Sequence, residues 1–311
     1  MMFRFQKEQE IVNIAGVKIG GQPGELPTAL AGTIFYNNHK IVEDEASGVF
    51  DRDAAETLVN VQETNSDETG NPHLIHIFGT TPESICNYID FIVDVTDAPF
   101  IIDSPEAAVR INALEYVSDI GLADKAVYNS INMSITDEER EALKQSDVDS
   151  SIILGFNAMD SSLQGRIALL ENGGSLLEFG LLDIAKKCGI SNILIDPSIV
   201  PLGDGAGIAL RMTLVAKAKW GYPVGSGIHN APSAWNWLKA KRKEDSLIYR
   251  ICDIGSACLQ QAAAGDFVLY GPIENAPYTF PLVAMGDIMM SEASADLDIE
   301  PSSSHPINIL V

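Results

Sequence analysis

Leu74-Ile-His-Ile-Phe78, then Gly-Thr-Thr81-Pro82, a run in which Ile85, Tyr88, Ile89 and Ile92 recur, then Phe100-Ile-Ile-Asp103 and Ser104-Pro105: residues 74–105 hold the repeating unit of the fold. The first and last runs are short, apolar and β-rich and are bounded by turn residues, as buried strands are. Thr81 and Ser104 each set a hydroxyl ahead of a proline, the signature of a capped helix start. Between them the apolar residues recur every three or four positions, one stripe of a helix that needs a sheet to cover. A strand, a helix and a second strand in this order imply a right-handed parallel crossover.

Working outward, the same unit recurs. Strands are expected at Thr33 to Tyr36, Leu74 to Phe78, Phe100 to Asp103, Ala126 to Asn129, Ser151 to Phe156, Asn192 to Asp196, Pro223 to Gly227 and Phe267 to Tyr270. Thr136-Asp137-Glu138-Glu139 is a capping box. Eight such units close a TIM-type (β/α)8 barrel of the α/β class rather than leaving an open sheet. A Rossmann-type sheet is the alternative, but no Gly-x-Gly-x-x-Gly follows the first strand. Ahead of the repeat, residues 9–20 read as an N-terminal β-hairpin about Ala15-Gly16. No Pro-, Gly- or Ser-rich linker interrupts the alternation. A single domain over 1–311 is expected, with residues 1–25 as a hairpin extension and 291–311 as an appended tail.

Composition narrows the function. Forty-three acidic against twenty basic residues give a formal charge of −23. That charge repels phosphate backbones and anionic lipid, so nucleic acid is not expected as a partner. The one dense basic run, Lys239, Lys241, Arg242 and Lys243, reads as a solvated helix end or as a contact for an anionic group. Cys86, Cys188, Cys252 and Cys258 match no metal or redox spacing and are expected to be reduced and buried. The N-terminus lacks the apolar stretch of a secretory signal, and no run of about eighteen apolar residues exists to span a bilayer. A cytoplasmic location follows as the expectation, with peripheral docking on a membrane complex left open.

Barrels gather their chemistry at the C-terminal ends of the strands. There the sequence places Asp103, Asn129, Asn157, Asp196 and Asn230. Singly, Asp and Asn at strand ends make Asx turns and helix caps. Five together, without Lys or Arg, suit a neutral ligand rich in donors and acceptors. A reduced pterin is one, since its amino-pyrimidine edge offers two parallel N–H donors that a carboxylate accepts together. Gly203, Gly205 and Gly207 open the segment after the sixth strand, where free backbone N–H groups can meet an anionic tail or serve close packing. His229 beside Asn230 reads as structural. His39, His73 and His76 form no metal-ligand pattern, and Gly-x-Ser-x-Gly, His-Glu-x-x-His and P-loop motifs are absent, so no metal site is expected.

Longer matches point to a family. Ile14-Ala-Gly-Val-Lys-Ile-Gly-Gly-Gln-Pro-Gly-Glu25, Ala31-Gly-Thr-Ile-Phe-Tyr36, Tyr128-Asn-Ser-Ile-Asn132, Leu154-Gly-Phe-Asn157, Trp220-Gly-Tyr-Pro-Val-Gly-Ser-Gly-Ile-His-Asn230 and Phe267-Val-Leu-Tyr-Gly-Pro-Ile-Glu-Asn275 resemble the H subunit of tetrahydromethanopterin S-methyltransferase and its bacterial tetrahydrofolate-using relatives, over nearly the whole chain. The resemblance implies a barrel methyltransferase that moves a methyl group between N5 of a reduced pterin and the cobalt of a corrinoid carried by a separate protein. It implies a pterin held by Asp103, Asn129, Asp196 and Asn230, a homodimer, and a corrinoid protein as partner. Asn230, whose amide can donate to N5, is the expected catalytic group. Ser104-Pro105-Glu106 and Asp196-Pro197-Ser198 depart from the family pattern, so tetrahydromethanopterin and tetrahydrofolate both stay open. The rival readings are a non-catalytic pterin-binding component and a pterin synthase of the same barrel class, although the strand ends lack the cations a diphosphate leaving group needs. The chain also lacks an Asp-x-His-x-x-Gly corrinoid signature, so it should purify without cobalt.

Overall fold

The computed structural model describes residues 3–311, so the first two residues of the expected extension lie outside the described residues. Strands β1 (Ile11–Ile14) and β2 (Val17–Gly20) form the expected antiparallel hairpin, with Ile14 paired to Val17. The repeat then runs β3 (Ala29–Ile34), β4 (Val42–Asp44), β5 (Val49–Phe50), α1 (Arg52–Thr69), β6 (His73–Phe78), α2 (Pro82–Val95), β7 (Phe100–Asp103) and α3 (Ala107–Asp119). It continues through β8 (Ala126–Ile131), α4 (Asp137–Gln145), β9 (Ser150–Leu154), α5 (Leu163–Asn172), α6 (Leu181–Lys187), β10 (Asn192–Asp196) and α7 (Ala206–Lys219). The last part holds β11 (Gly225–Ser226), α8 (Asn230–Ala234), α9 (Asn236–Glu244), α10 (Ser246–Ala262), β12 (Phe267–Pro272), α11 (Ala276–Ser294) and α12 (Pro306–Leu310).

One eight-stranded sheet runs in the order β10-β9-β8-β7-β6-β3-β12-β11, all neighbours parallel. Its two ends meet where Ile195 bridges Val224, so the sheet curls into a barrel. This is the expected (β/α)8 architecture preceded by a hairpin.

Alternation along each strand sorts the core into two shells. Ala29 and Ala31, Leu74, Ile101, Val127, Ile152, Leu194, Phe267 and Leu269 form one buried cluster with Val12, Ile14 and Ile19 of the hairpin. These are the inward positions, and the hairpin stops the N-terminal end of the barrel with aliphatic side chains. The outward positions, including Ile75, Ile77, Phe100, Ile102, Tyr128 and Ile153, pack with Ile85, Ile89 and Ile92 of α2 and with the other helices.

Polar ties fix the helices. Thr81 accepts from the Ser84 backbone N–H at 3.0 Å while Ser84 Oγ accepts from that of Thr81, the predicted helix start. Thr136 and Glu139 form the predicted capping box. Glu139 does more, since its buried carboxylate also takes Arg110 Nε at 3.1 Å and the Tyr128 hydroxyl, joining α3, β8 and α4. Lys217, fully buried on α7, donates to Asp266 at 2.7 Å and to the carbonyl of Gly21 at 2.8 Å, which anchors the segment after the hairpin.

Several boundaries differ from expectation. The first barrel strand is Ala29–Ile34 rather than Thr33 to Tyr36: its first four residues are all buried, and Phe35 leaves it in the left-handed region at φ 61°. Ser104-Pro105 does not cap a helix; Ser104 Oγ accepts from the Glu106 N–H at 3.3 Å in a turn, and α3 starts two residues later. Strand β11 keeps only two residues of the expected Pro223 to Gly227. β4 and β5 form a small antiparallel pair that was not anticipated. The residues after Ser291 are not a loose tail: α11 runs on to Ser294, Ser302 N–H donates to the Glu25 carbonyl at 2.8 Å, and His305 is fully buried. Of the cysteines only Cys188 is buried; Cys86, Cys252 and Cys258 are half-buried, and all four are free thiols.

Candidate active site at the barrel mouth

The alternation that fills the barrel also builds its mouth. Two residues beyond the inward-facing Ala31, Leu74, Ile101, Val127 and Leu194 stand Thr33, His76, Asp103, Asn129 and Asp196. One polar layer therefore caps the apolar one, and strand pairing sets its members side by side, Thr33 opposite His76 and Asp103 opposite Asn129. Thr33 Oγ1 lies 2.9 Å from His76 Nδ1, and His76 Nε2 lies 3.0 Å from Asp103 Oδ2. The Asp103 side chain remains 28% exposed, so one edge of it is free for a ligand. Asn129 is half-buried and makes no side-chain hydrogen bond among the described residues.

Asp196 is the most constrained member. It is 7% exposed, and its carboxyl accepts from the backbone N–H groups of Ser198, at 2.6 Å, and Gly227. Arg166 is buried nearby but spends its donors on the carbonyls of Ser161, Pro197 and Ser198. Burial thus pushes the Asp196 carboxyl up to about 7, against the two backbone donors and the weaker pull of Arg166.

The loops after the seventh and eighth strands complete the mouth. Asn230 is not at the end of a long strand but opens α8, with its side chain exposed and without a hydrogen-bond partner among the described residues. The cap position of that short helix belongs to His229, and no side chain caps it. His229 nestles over β12: a Cβ at Gly271, whose φ is +79°, would fall 2.6 Å from the His229 ring, so the glycine makes room for the imidazole. Its Nδ1 is 3.9 Å from Asp253 Oδ1. Burial first, and His76 second, push His229 down to about 4, so it is neutral at neutral pH. Glu274 accepts from the Tyr36 hydroxyl at 2.8 Å and lies 3.1 Å from His39 Nε2. Burial would raise its carboxyl, but these bonds and its own backbone N–H outweigh that and hold it below the usual range. A cavity of about 430 Å³ opens beside these residues, between the β12 loop and α8 to α10.

Asp103, Asn129, Asp196 and Asn230 therefore lie at one end of the barrel. Asn157 does not join them: its Nδ2 donates to the Gly165 carbonyl, and its Oδ1 takes the N–H groups of Met159 and Asp160, so its amide holds the β9 loop. Gly203 and Gly205 adopt positive φ ahead of α7, whose first turn has no side-chain cap. Among the described residues no three His, Cys, Asp or Glu side chains form a metal-sized cluster, and no helix is long and apolar enough to cross a membrane. Sequence reading missed Thr33, His76, His229, Asp253 and Glu274. A single polar residue inside an apolar strand, as in Leu74-Ile-His76, is the signal that could have found His76.

Comparison with known proteins adds an independent line. Residues 7–302 match the family described as the tetrahydromethanopterin S-methyltransferase MtrH subunit. The chain is 73% identical over 310 residues to the H subunit of the putative methyltransferase mtx from Methanosarcina barkeri, covering 100% of each. It is 55% identical over 305 residues to the H subunit of tetrahydromethanopterin S-methyltransferase from Methanothermobacter thermautotrophicus, covering 98% of each. Among solved structures, dihydropteroate synthase of Yersinia pestis overlays with a TM-score of 0.61 over 90% of this chain and 98% of that one, at 12% identity. That likeness concerns the barrel alone.

Proposed function

The chain belongs to the tetrahydromethanopterin S-methyltransferase MtrH subunit family and is a methyltransferase component, and from that premise we propose that it transfers a methyl group between N5 of a reduced pterin and the cobalt of a corrinoid held by a separate protein. Tetrahydromethanopterin is the favoured pterin over tetrahydrofolate, because relatives at 55% and 51% identity carry it in their names. The observation that carries the reading is Asp196: a carboxyl at the barrel mouth, pushed up to about 7 by burial, is the acceptor that a pair of parallel N–H donors satisfies. Asp103, fixed by His76 with one edge exposed, is the second acceptor, and Asn129 offers both a donor and an acceptor.

The corrinoid supplies the nucleophilic cobalt, and the pterin is the methyl donor or acceptor. This chain's residues orient the ring and tune N5. As the methyl leaves, N5 becomes more basic, and the free amide of Asn230 donates to it more strongly. Positioning contributes most, since in-line transfer demands a close, oriented approach. In this reading Gly203, Gly205 and Gly207 border the mouth and leave backbone N–H groups for an anionic extension, while Asn157 shapes a loop. The corrinoid protein docks over the mouth, and the chain works as a homodimer in the cytoplasm, peripheral to its partner subunits.

Mixing purified protein with methyl-tetrahydromethanopterin and free cob(I)alamin tests the proposal. A methylcobalamin spectrum forming faster than without protein is the expected result. Tight pterin binding without any such spectrum would leave the chain a binding component.

A further inference from the structure

Thr33 and His76 stand opposite each other on the neighbouring parallel strands β3 and β6. His76 is only 7% exposed, so both of its ring nitrogens need partners. Each has one: Nε2 lies 3.0 Å from Asp103 Oδ2, and Nδ1 lies 2.9 Å from Thr33 Oγ1. Neither Thr33 nor His76 makes another side-chain hydrogen bond among the described residues. A carboxylate only accepts, so the Asp103 contact calls for the proton on Nε2. In the neutral ring that leaves Nδ1 bare, and the Thr33 hydroxyl is the donor that reaches it. The other tautomer would set a bare Nε2 against a carboxylate oxygen at 3.0 Å. A ring turned by half a rotation about its Cβ–Cγ bond would put carbons where both nitrogens now bond. Asp103 alone is a poor anchor against either change, since its own carboxyl turns when a ligand pulls on its free edge. Thr33 is the fixed end of the row: its branched side chain is stiff at χ1, and strand register sets its place.

We propose that Thr33 and His76 are positioning residues for pterin recognition: the Thr33 hydroxyl locks His76 as an Nε2–H donor, and the locked ring holds the Asp103 carboxylate with its other oxygen free for the ligand. The inference rests on the pterin reading above and adds to it two residues that act only through Asp103. It also gives the first two barrel strands a share in the site, since Thr33 and His76 are their members of the polar layer above Ala31 and Leu74. The feature of Thr33 that counts is then its hydroxyl and not its shape.

Nitrogen-15 labelling of the five histidines reads the tautomer by NMR, with His76 assigned by its absence from the spectrum of His76→Gln. The ligand-free parent should show His76 protonated at Nε2 and bare at Nδ1. Thr33→Val, which keeps the shape of the side chain, should show more than one state of the ring. Calorimetry with methyl-tetrahydromethanopterin gives the second readout. Thr33→Val should weaken binding about threefold to tenfold, the range of one neutral hydrogen bond, while Thr33→Ser stays close to the parent. His76→Gln offers Asp103 an amide N–H and has no tautomer to choose, so adding Thr33→Val in that background should weaken binding no further. At saturating pterin, Thr33→Val should methylate free cob(I)alamin at the parent rate, because the lock acts on KM rather than kcat. His76 protonated at Nδ1 in the parent, parent-like affinity in folded Thr33→Val, or losses that simply add in the double variant would each overturn the proposal. A parent that binds no methyl-tetrahydromethanopterin would instead overturn the pterin site itself, and the lock with it, whatever tautomer His76 shows.

Discussion

Pterin binding should take up the charge state of Asp196. In the free protein this carboxyl titrates at about 7 because burial strips it of water and only backbone donors replace it. A pterin edge that donates two hydrogen bonds binds the carboxylate and not the acid, so affinity follows the ionised fraction. With a free-state midpoint of about 7, that fraction falls from about 0.9 to about 0.1 between roughly pH 8 and pH 6, a tenfold loss of affinity or about 1.4 kcal/mol. Calorimetry across that window in buffers of different ionisation enthalpy should also detect a proton released per pterin bound below neutrality. Asp196→Asn should weaken binding at high pH by roughly 1.5 to 3 kcal/mol and abolish the slope. The ligand-free protein carries the mirror image. Because its folded state holds this proton more tightly than the unfolded chain, Asp196 costs stability increasingly as pH rises from about 4 through about 7. Asp253 and Asp287, each pushed up to about 6 by burial, add slopes of the same sign, so the difference between parent and variant isolates Asp196. A pterin affinity that is flat from pH 6 to 8, or a slope that survives in Asp196→Asn, would refute the assignment.

Other substitutions separate binding, chemistry and folding. Asp103→Ala should weaken pterin binding by about 1.5 to 3 kcal/mol, read by calorimetry, since it removes a charged acceptor and releases His76. Asn230→Ala should slow methyl transfer roughly 10²-fold in stopped-flow traces with little change in pterin affinity. Its melting temperature should not move, because His229 rather than Asn230 holds the cap position of α8. Lys217→Met should cost about 3 to 5 kcal/mol in denaturant unfolding by stranding Asp266 without its partner, and Lys217→Met/Asp266→Asn should recover much of it.

The readable part of the molecule was the part whose geometry a strand imposes. Asp103, Asn129 and Asp196 follow apolar runs by a fixed spacing, and period-two alternation turns that spacing into a common inward face. The first strand eluded this logic because Ala29-Leu-Ala-Gly32 is apolar and buried on both faces, so no polar residue alternates with the apolar ones, while the β-rich Thr33 to Tyr36 gives the stronger strand signal just beyond it. Asn157 has the right residue type at the right place, yet three local hydrogen bonds claim it. The meeting of His229 with Asp253 was beyond the reach of spacing altogether. They meet only because α8, α9 and α10 fold back over the seventh and eighth strands, and the angle at which helices return is set by packing that no local pattern encodes.

Specificity divides along the same line between strands and loops. The inward face offers a ligand a single polar layer, since one step deeper stand Leu74, Ile101, Val127, Ile152 and Leu194, with the hairpin residues Val12, Ile14 and Ile19 stopping the far end. A planar head group can enter from the strand C-termini only as far as that apolar floor. In the function proposed above the ring is recognised by Asp103, Asn129 and Asp196, whose positions are fixed by strand register, and a one-residue slip would turn them outward. In the same proposal, whatever the ligand carries beyond the ring is left to the loops. The seventh crossover is the one elaborated with three successive helices, and those helices wall the cavity beside the mouth. On this geometry two relatives can keep the same ring chemistry while changing α8 to α10, and a swap of residues 230–262 between them should carry side-chain preference without altering the pH dependence that Asp196 imposes.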